Sequence, residues 1–508
     1  MALDQGSRIE TVVIGAGHNG LVAAAALAGQ GARVTVLEQA DAPGGMMAAG
    51  HLIWNLHPAA MEALGTEAQA LGLDGPALPT TALDPGGRHV VIEGDDARLA
   101  GGEPHPQAAV YRTLCERFRR FAGVLAPLTL GPPPRLGEGW LTGPGLAELR
   151  GLGRLGLDIR RLGRREMQEF LRVAYSNVAD VLLAEMPDGP LAASLAFDGV
   201  LGARMGPRSP GTVLTLLYRH LGGSGRRRPE GGMATLARRM AEAAEARGAS
   251  IRYGARASGL LIAGDRVLGV GVEGQESIPA HAVFSSLGAG PTLALAGVEH
   301  FDAEVCRRVR NLRAEGVTAR LDLTLSDMPR IEGLDARHTQ GRLLLAPSVA
   351  AMEASFDPVK YGRMPDAPAV EALVEPVEGG ARLSALIQPV PNAPGGGWSD
   401  GARGAAIETV VALIDRALPG LADTVTGAAL DTPSDIEART AAPGGHWHHG
   451  EFAVDQMLML RPVNGMGHYR TGLPGLWLCG AGAHPGGDVT GLPGRNAALA
   501  ALAEGVRR

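Results

Sequence analysis

The start of the chain alternates apolar runs with a glycine-rich turn, a pattern that predicts a βαβ unit. An apolar run at 9–14 leads into a turn at 15–20 with the sequence GAGHNG. Residues 21–27 are small and apolar, as in a closely packed helix, and a second apolar run at 34–37 ends at Glu38. Strand, glycine turn, helix, strand and acid follow one another in the order of a dinucleotide-binding fingerprint.

Each residue of this fingerprint has a physical role in holding a dinucleotide. Gly15 permits a tight turn, Gly17 lets the backbone approach a pyrophosphate, and Gly20 lets helix and strand pack closely. Glu38 follows about 20 residues later, where a carboxylate can accept hydrogen bonds from ribose hydroxyls. An acid instead of arginine here favours a free ribose over a 2′-phosphate, so NADP is not expected at this site.

The rest of the chain mixes helical and strand patterns without an internal repeat. Apolar spacing predicts helices at 110–125, 166–183, 233–247, 404–418 and 494–505. Short apolar runs predict strands at 251–253, 257–262, 267–272, 282–286, 318–325, 342–345, 382–387 and 476–479. We therefore expect an α/β fold in which a Rossmann-like domain is interleaved with an α+β substrate domain.

The predicted domains are discontinuous in sequence. The dinucleotide-binding domain is assigned to residues 1–75, 225–300 and 436–508. The substrate domain is assigned to 76–224 and 301–435. Its first part contains a proline-rich turn at 131–134, and a glycine and arginine break at 225–232 separates the two assignments.

Composition narrows the classes of protein that the chain can belong to. Hydrophobic residues make up 45% of the 508 residues and charged residues 20%, which excludes a disordered chain. The formal net charge is −6 and aromatic residues are 4%, so nucleic acid is not expected as a partner. No apolar run is long enough to span a membrane, and no secretory leader is apparent at the N-terminus.

Cysteine and lysine usage limits the chemistry further. The three cysteines, Cys115, Cys306 and Cys479, are far apart, which excludes a CxxC dithiol centre or zinc ribbon and suits a reducing cytoplasm. Lys360 is the only lysine in the chain, so a Schiff-base mechanism would have to use it, and its surroundings do not resemble a pyridoxal phosphate site.

Further motifs carry a family resemblance. With the fingerprint, the motifs PGG at 43–45 and PEGGM at 229–233 resemble the FAD half of the phytoene desaturase and amine oxidase superfamily. The C-terminal series resembles one branch of the phytoene-desaturase-like flavoproteins, named pyridine nucleotide-disulfide oxidoreductase domain-containing protein 2. That series is TPSDIE at 432–437, HGE at 449–451, RP at 461–462, YRT at 469–471, GLWLCGAG at 475–482, HPGG at 484–487 and PGRNAA at 493–498.

The resemblance implies non-covalently bound FAD, with the flavin ring at the interface of two domains. It assigns the pyrophosphate to the fingerprint glycines, the adenosine ribose to Glu38 and the adenine edge to the backbone at Ala257. The remaining cofactor-binding positions that it implies are Gly44, Gly45, Gly482, Val489, Thr490 and Gly491. Residues 484–491 are expected to lie against the flavin ring, and Gly491→Val is expected to impair flavin reduction more than stability.

Two positions depart from the pattern of these relatives. Many FAD enzymes have an acid where this chain has Ala481, so the resemblance does not carry over one contact to the ribityl chain. The branch tends to have a third glycine where this chain has Asp488. A carboxylate beside a reduced, anionic flavin is unfavourable unless it is protonated or paired with a cation.

Histidines supply the candidate catalytic residues. His484 lies in a glycine-rich motif expected to abut the flavin, and His449 belongs to a cluster with His446 and His448. No set of ligands at metal-binding spacing accompanies this cluster, so we predict no metal site. The alternative for each histidine is a purely structural role, which is also the favoured role of Arg461 and Arg495.

Arginines in residues 150–165 alternate with apolar residues at helical spacing. One interpretation is a basic amphipathic face that makes peripheral contact with a membrane. Glycines within the stretch weaken the helix, so an ordinary solvated face is the favoured alternative. The expected location of the protein is therefore the cytoplasm, with or without peripheral membrane contact.

The combined pattern predicts an FAD-dependent oxidoreductase that removes hydride from a C–H bond of an apolar, polyene or lipid-like substrate. Three alternatives stay open: a flavin amine oxidase or natural-product tailoring oxidase acting on a smaller polar substrate, and a flavin-dependent isomerase. The scarcity of lysine argues against the amine oxidase, which often uses a lysine near the flavin. A non-enzymatic binding protein of the same fold is disfavoured by the intact C-terminal glycine motif.

Overall fold

A computed structural model describes residues 10–54, 56–133, 153–221 and 225–506. Within them the strands are β1 (Glu10–Ile14), β2 (Arg33–Leu37), β3 (Thr80–Ala82), β4 (Val90–Glu93), β5 (Asp96–Leu99), β6 (Ala249–Arg252), β7 (Ala257–Ala263), β8 (Arg266–Val272), β9 (Ile278–Pro279), β10 (Ala282–Ser285), β11 (Ala319–Leu325), β12 (Arg342–Leu345), β13 (Ala369–Val377), β14 (Gly380–Gln388), β15 (Val425–Asp431) and β16 (Leu476–Leu478).

The helices in the same ranges are α1 (His18–Ala28), α2 (Pro58–Leu64), α3 (Ala108–Thr129), α4 (residues 153–161), α5 (Arg164–Ala174), α6 (Val178–Leu183), α7 (Pro190–Val200), α8 (Thr212–Arg219), α9 (Gly232–Ala246), α10 (Ala289–Ala296), α11 (Ala303–Arg310), α12 (Ala336–Thr339), α13 (Val349–Val359), α14 (Asp400–Ala417), α15 (Leu421–Thr424), α16 (Pro433–Thr440) and α17 (Leu492–Ala503). In the part of the chain that the structure describes, no helix is long and apolar enough to cross a membrane.

A parallel five-stranded sheet carries the fingerprint. Its strand order is β16-β10-β1-β2-β6, so it joins strands from the beginning, the middle and the end of the chain. The central strand β1 is buried after its first residue, as expected for a parallel strand covered on both faces. This arrangement confirms the predicted mixed α/β class with a Rossmann-like domain.

Small residues allow unusually close packing around α1. Its alanines are buried against α17, α9 and α2. A Cβ at Gly494 in α17 would lie 1.9 Å from the carbonyl oxygen of Asn19, so the two helices need glycine at their contact. The C-terminal helix therefore packs on the same layer as the N-terminal βαβ unit.

A second sheet of eight strands has the order β15-β11-β14-β13-β12-β3-β4-β5. Its pairs are antiparallel except for β12 with β3, which are parallel. One face packs against α3 and α5 to α8, and the other packs against α14. A small antiparallel sheet of β7, β8 and β9 covers one side of the parallel sheet.

Candidate functional site

A cleft of about 530 Å³ opens at the carboxyl ends of β1 and β2. Ligands of open parallel sheets bind at this edge, and the volume lies within the usual range for cofactor pockets. The cleft brings together residues that are distant in sequence. Its lining includes, among the predicted site residues, Gly15, Gly17, Glu38, Gly44, Gly45, Ala257 and His449.

The three fingerprint glycines have different local surroundings. Gly15 has φ 95°, and a Cβ there would lie 2.4 Å from the Ser286 hydroxyl oxygen. A Cβ at Gly20 would lie 2.0 Å from the Gly15 carbonyl oxygen, so this glycine is required for packing. At Gly17, the nearest described atom to a Cβ would be the Gly44 oxygen at 4.0 Å. Open space therefore lies beside Gly17, the glycine at which a fingerprint of this type lets the backbone approach a pyrophosphate.

Glu38 is held by backbone donors at the rim of this cleft. Its Oε2 accepts a hydrogen bond from the Ala16 N–H at 2.7 Å, and its Oε1 accepts one from the Ala40 N–H at 2.9 Å. The residue is 6% exposed. Since each carboxylate oxygen has two lone pairs, both oxygens keep acceptor capacity for ribose hydroxyls.

A smaller inner cavity of about 60 Å³ adjoins the cleft. The two share His18, Met46, Met47 and Trp447 in their linings. The inner cavity lies where the loops of the parallel sheet meet the second sheet. Its charged and polar lining consists of His18, Trp54, Arg219, Glu371, Trp447, His448 and Asp488.

The C-terminal glycine motif reaches this cavity only in part. Val489 and Asp488 line it, whereas Gly482, Thr490 and Gly491 are among the lining residues of neither cavity. A Cβ at Gly491, which has φ 72°, would lie 2.7 Å from Ala60 Cβ. Gly491→Val is therefore expected to disturb the packing at the start of α17 as well. Its stronger effect on flavin reduction than on stability stays a prediction.

Asp488 is paired with a cation, Arg219, as a carboxylate near a reduced flavin would require. Its Oδ2 lies 3.2 Å from Arg219 Nε, and the Arg219 side chain is almost fully buried. Two carbonyl oxygens, those of Asp198 and Leu201, accept hydrogen bonds from the same guanidinium. The Asp488 carbonyl oxygen in turn lies 3.1 Å from His18 Nε2.

Two histidines of the 446–449 turn, His448 and His449, have pKa values below the ordinary histidine range. Burial, followed by the nearby charges of His446 and Arg461, lowers the pKa of His449 to about 3. Burial is also the first cause of the pKa of His448 lying well below its usual range. Arg461 donates hydrogen bonds to the carbonyl oxygens of His448 and Gly450 and so clamps the turn. No group of metal-binding side chains was found among the described residues.

The two predicted catalytic histidines occupy different environments. His449 has φ 53° and lines the cleft. His484 is 2% exposed, and its Nε2 lies 2.8 Å from the Leu128 carbonyl oxygen. Burial lowers the pKa of His484 to about 4. It lines neither cavity, so only His449 is placed to touch a ligand of the cleft.

A buried network of charged and polar side chains lies behind the inner cavity, and the sequence analysis did not predict it. Arg342 Nη2 lies 2.7 Å from Asp198 Oδ1, and Arg342 Nε is bonded to Glu371. The other Glu371 oxygen accepts from His51 Nε2 at 3.1 Å, and His51 Nδ1 lies 3.0 Å from Ser384 Oγ. These residues come from five separate segments, so no local motif could have predicted their meeting.

The residues of the cleft fit a flavin dinucleotide. Two buried ring nitrogens in its lining, His449 Nδ1 and Trp447 Nε1, have no hydrogen-bond partner among the described residues. Buried donors and acceptors are almost always paired, so such atoms mark the place of a polar ligand. The open space beside Gly17 suits the pyrophosphate of a flavin dinucleotide. The remaining acceptor capacity of Glu38 suits its ribose hydroxyls.

Comparisons with known proteins agree with this site. Residues 13–62 match the family described as NAD(P)-binding Rossmann-like domain. Pyridine nucleotide-disulfide oxidoreductase domain-containing protein 2 of Rattus norvegicus is 28% identical over 96% of this chain and 92% of its own. Hydroxyneurosporene desaturase of Cereibacter sphaeroides is 28% identical over 97% and 98%, and phytoene dehydrogenase of Streptomyces griseus is 30% identical over 54% and 53%.

Solved structures show the same fold at low identity. An oxidoreductase from Methanosarcina mazei is 18% identical, with a TM-score of 0.56 over 97% of this chain and 100% of its own. Cyclohexylamine oxidase from Brevibacterium oxydans is 17% identical, with a TM-score of 0.55 over 99% and 100%. Together the comparisons confirm the predicted resemblance to phytoene-desaturase-like proteins and the predicted oxidoreductase class.

Proposed function

We propose that this chain is an FAD-dependent oxidoreductase that removes hydride from a C–H bond of a small-molecule substrate. The observation that carries the proposal is the continuity of the two cavities. The fingerprint cleft and the inner cavity meet at His18, Met46, Met47 and Trp447. A dinucleotide bound along the glycine loops therefore has its reactive end directed towards the interface with the second sheet, where substrate can enter.

The geometry of the cleft supports the predicted cofactor contacts. Gly17 and Gly44 admit the pyrophosphate between the two glycine loops, and Glu38 accepts from the adenosine ribose. Ala257, at the start of β7, lies at the adenine end of the cleft. When bound, FAD supplies the hydride acceptor, while the protein binds and orients both reactants.

The substrate was predicted to be apolar, as in polyene desaturases. The inner cavity has an apolar side that matches the chemistry of such a chain, and its volume of about 60 Å³ accommodates only a small part of one. That side is formed by Met46, Met47, Leu52, Ile53, Leu201, Met233, Leu386 and Val489. The charged side of the same cavity favours a second candidate, a smaller substrate with N–H or O–H donors. Glu371 and Asp488 offer carboxylate acceptors there, whereas most N–H groups of Arg219 are already bonded.

Lysine chemistry of the amine oxidase type does not suit this cavity. Lys360 is paired with Asp357 at 2.7 Å on an exposed part of α13. It lines neither cavity. A polar substrate is therefore proposed only with chemistry that needs no lysine near the flavin.

We also propose peripheral membrane contact through the basic face predicted at 150–165, of which residues 150–152 lie outside the described residues. Arg154, Arg160, Arg164 and Arg165 are exposed on α4 and α5, and exposed Leu157 lies among them. Cationic side chains beside exposed apolar ones suit an anionic lipid surface. Sedimentation with anionic and with neutral vesicles tests this proposal, which fails if the protein pellets with neither.

Anaerobic reduction of the protein-bound flavin tests the proposed reaction. We expect the visible flavin band to bleach with at least one of two substrate panels, carotenoid-type polyenes or small amines and alcohols. Bleaching by polyenes alone supports the apolar substrate, and bleaching by the polar panel alone supports the second candidate. A substrate that is rearranged without bleaching would indicate the isomerase instead.

A further inference from the structure

The ion pair between Arg219 and Asp488 joins the two halves of the molecule at the inner cavity. Arg219 ends α8 in the part of the chain that covers the second sheet, and Asp488 lies in the C-terminal glycine motif. We propose that each charge of this pair offsets the effect of the other on the reduction potential of the bound flavin, so that the pair adds no net charge beside the ring. The proposal rests on the proposed function, because it requires FAD in the cleft.

Both members of the pair are held rigidly. The Asp488 backbone N–H donates to His448 Nδ1 at 3.3 Å, and its carbonyl oxygen lies 3.1 Å from His18 Nε2. Arg219 donates to carbonyl oxygens at the end of α7 as well as to the carboxylate. Because neither charge can turn away, the field that they produce at the cavity is fixed.

The backbone at Asp488 has a conformation that is typical of glycine, although the residue carries a charged side chain. Its φ is 61°, a left-handed value that glycine adopts without strain and aspartate adopts more readily than most residues. The Asp488 carboxylate is bonded to Arg219, and 11% of the side chain is exposed. A purely structural turn would need no carboxylate, so the charge itself needs an explanation.

Removal of Arg219 and removal of Asp488 are expected to change the stability of the reduced flavin in opposite directions. Reduction leaves negative charge on the flavin, which a nearby cation stabilises and a nearby anion destabilises. Inside a protein such effects are much stronger than in water. With both charges present they largely cancel, so removal of either one exposes the full effect of the other.

Equilibration of the flavin with a redox dye measures the effect directly. Asp488→Asn keeps the size of the side chain and leaves Arg219 uncompensated, so we expect the ratio of reduced to oxidised flavin to rise at least tenfold at a fixed dye potential. That ratio corresponds to about 30 mV for a two-electron couple. Arg219→Gln is expected to shift the ratio at least tenfold the other way, and the double variant is expected to return close to wild type.

Controls separate this role from a structural tie between the two halves. Arg219→Lys keeps the charge with fewer hydrogen bonds, so its ratio is expected to stay within threefold of wild type even if it unfolds at lower temperature. Ratios of Asp488→Asn and Arg219→Gln that stay within threefold of wild type, in protein that binds FAD, would overturn the proposal. If Arg219→Gln does not fold, Asp488→Asn alone decides. Wild-type protein that binds no FAD would instead refute the proposed function.

Discussion

Gly17 and Gly44 face each other across the mouth of the dinucleotide cleft. They form an isolated parallel bridge, and the Gly44 N–H donates to the Ala16 carbonyl oxygen at 3.0 Å. Two glycine loops from different parts of the N-terminal unit thus meet with no side chain between them. Open space next to the N-terminus of α1 remains beside this contact, and the helix N–H groups there favour an anion such as the proposed pyrophosphate.

Gly17→Val is expected to abolish FAD binding while the protein stays folded. Gly17 has φ −69° and ψ 165°, which a valine can adopt, and its Cβ would point into the open cleft. Gly20→Ala is the matched control, because its Cβ would collide with the Gly15 carbonyl oxygen and destabilise the fold. FAD titration by fluorescence and circular dichroism measure the two effects. Full FAD affinity in folded Gly17→Val would contradict the assignment of the pyrophosphate.

Removal of residues after Gly475 is expected to destroy the dinucleotide-binding domain. The deletion takes away β16, which pairs with β10, and α17, which packs against α1. We expect a truncated protein that is insoluble or rapidly proteolysed and carries no flavin. A truncated protein that stays folded and yellow would show that the predicted discontinuous domain is wrong.

Glu371→Gln is expected to destabilise the protein by about 3 kcal/mol at neutral pH, because it removes one of the two buried carboxylates that pair with Arg342. Burial alone would raise the pKa of Glu371, but the charge of Arg342 and the hydrogen bond from His51 lower it to about 2. The stabilisation is therefore present above about pH 4.5 and is lost as the pH falls towards 2.

Urea unfolding as a function of pH checks this prediction. Wild type is expected to lose stability more steeply below pH 4.5 than Glu371→Gln. Glu304, whose pKa is also about 2 through its bond to Arg307, lies at the surface with 43% of its side chain exposed and provides the control. Glu304→Gln is expected to change stability little. Equal losses of stability in Glu371→Gln and Glu304→Gln would contradict a larger contribution of the buried ion pairs than of the surface ion pair.

His449→Phe is expected to shift the absorption spectrum of bound flavin, and His484→Phe is not. His449 lines the cleft and its Nδ1 lacks a partner among the described residues, whereas His484 is bonded to the Leu128 carbonyl oxygen. His484→Phe should instead lower the unfolding temperature. A spectral shift with His484→Phe but not with His449→Phe would reverse the two assignments.

Local sequence patterns predicted the parts of the fold that depend on local rules. The fingerprint became β1, α1 and β2 with Glu38 in the cleft, because turn chemistry and apolar runs act over short distances. The helix predicted at 166–183 is two helices, since Asn177 caps a new one by accepting from the Asp180 N–H. The predicted proline-rich turn at 131–134 ends outside the described residues.

Long-range contacts account for what the sequence could not predict. Asp198 and Arg219 lie at the ends of α7 and α8, which were not predicted, and they find their partners only in the folded chain. The assigned domain limits and cofactor-binding residues remain predictions, which FAD binding by the variants described above can test. Cytoplasmic location likewise remains a prediction.

The visible spectrum and flavin content of the purified protein test the central claim most directly. After incubation with FAD and removal of the excess, we predict a yellow protein that releases about one FAD per chain on heating, as expected for a single fingerprint cleft. Gly17→Val, treated in the same way, should be colourless. A folded wild-type protein that stays colourless and releases no FAD would contradict the proposed function and every cofactor contact inferred from it.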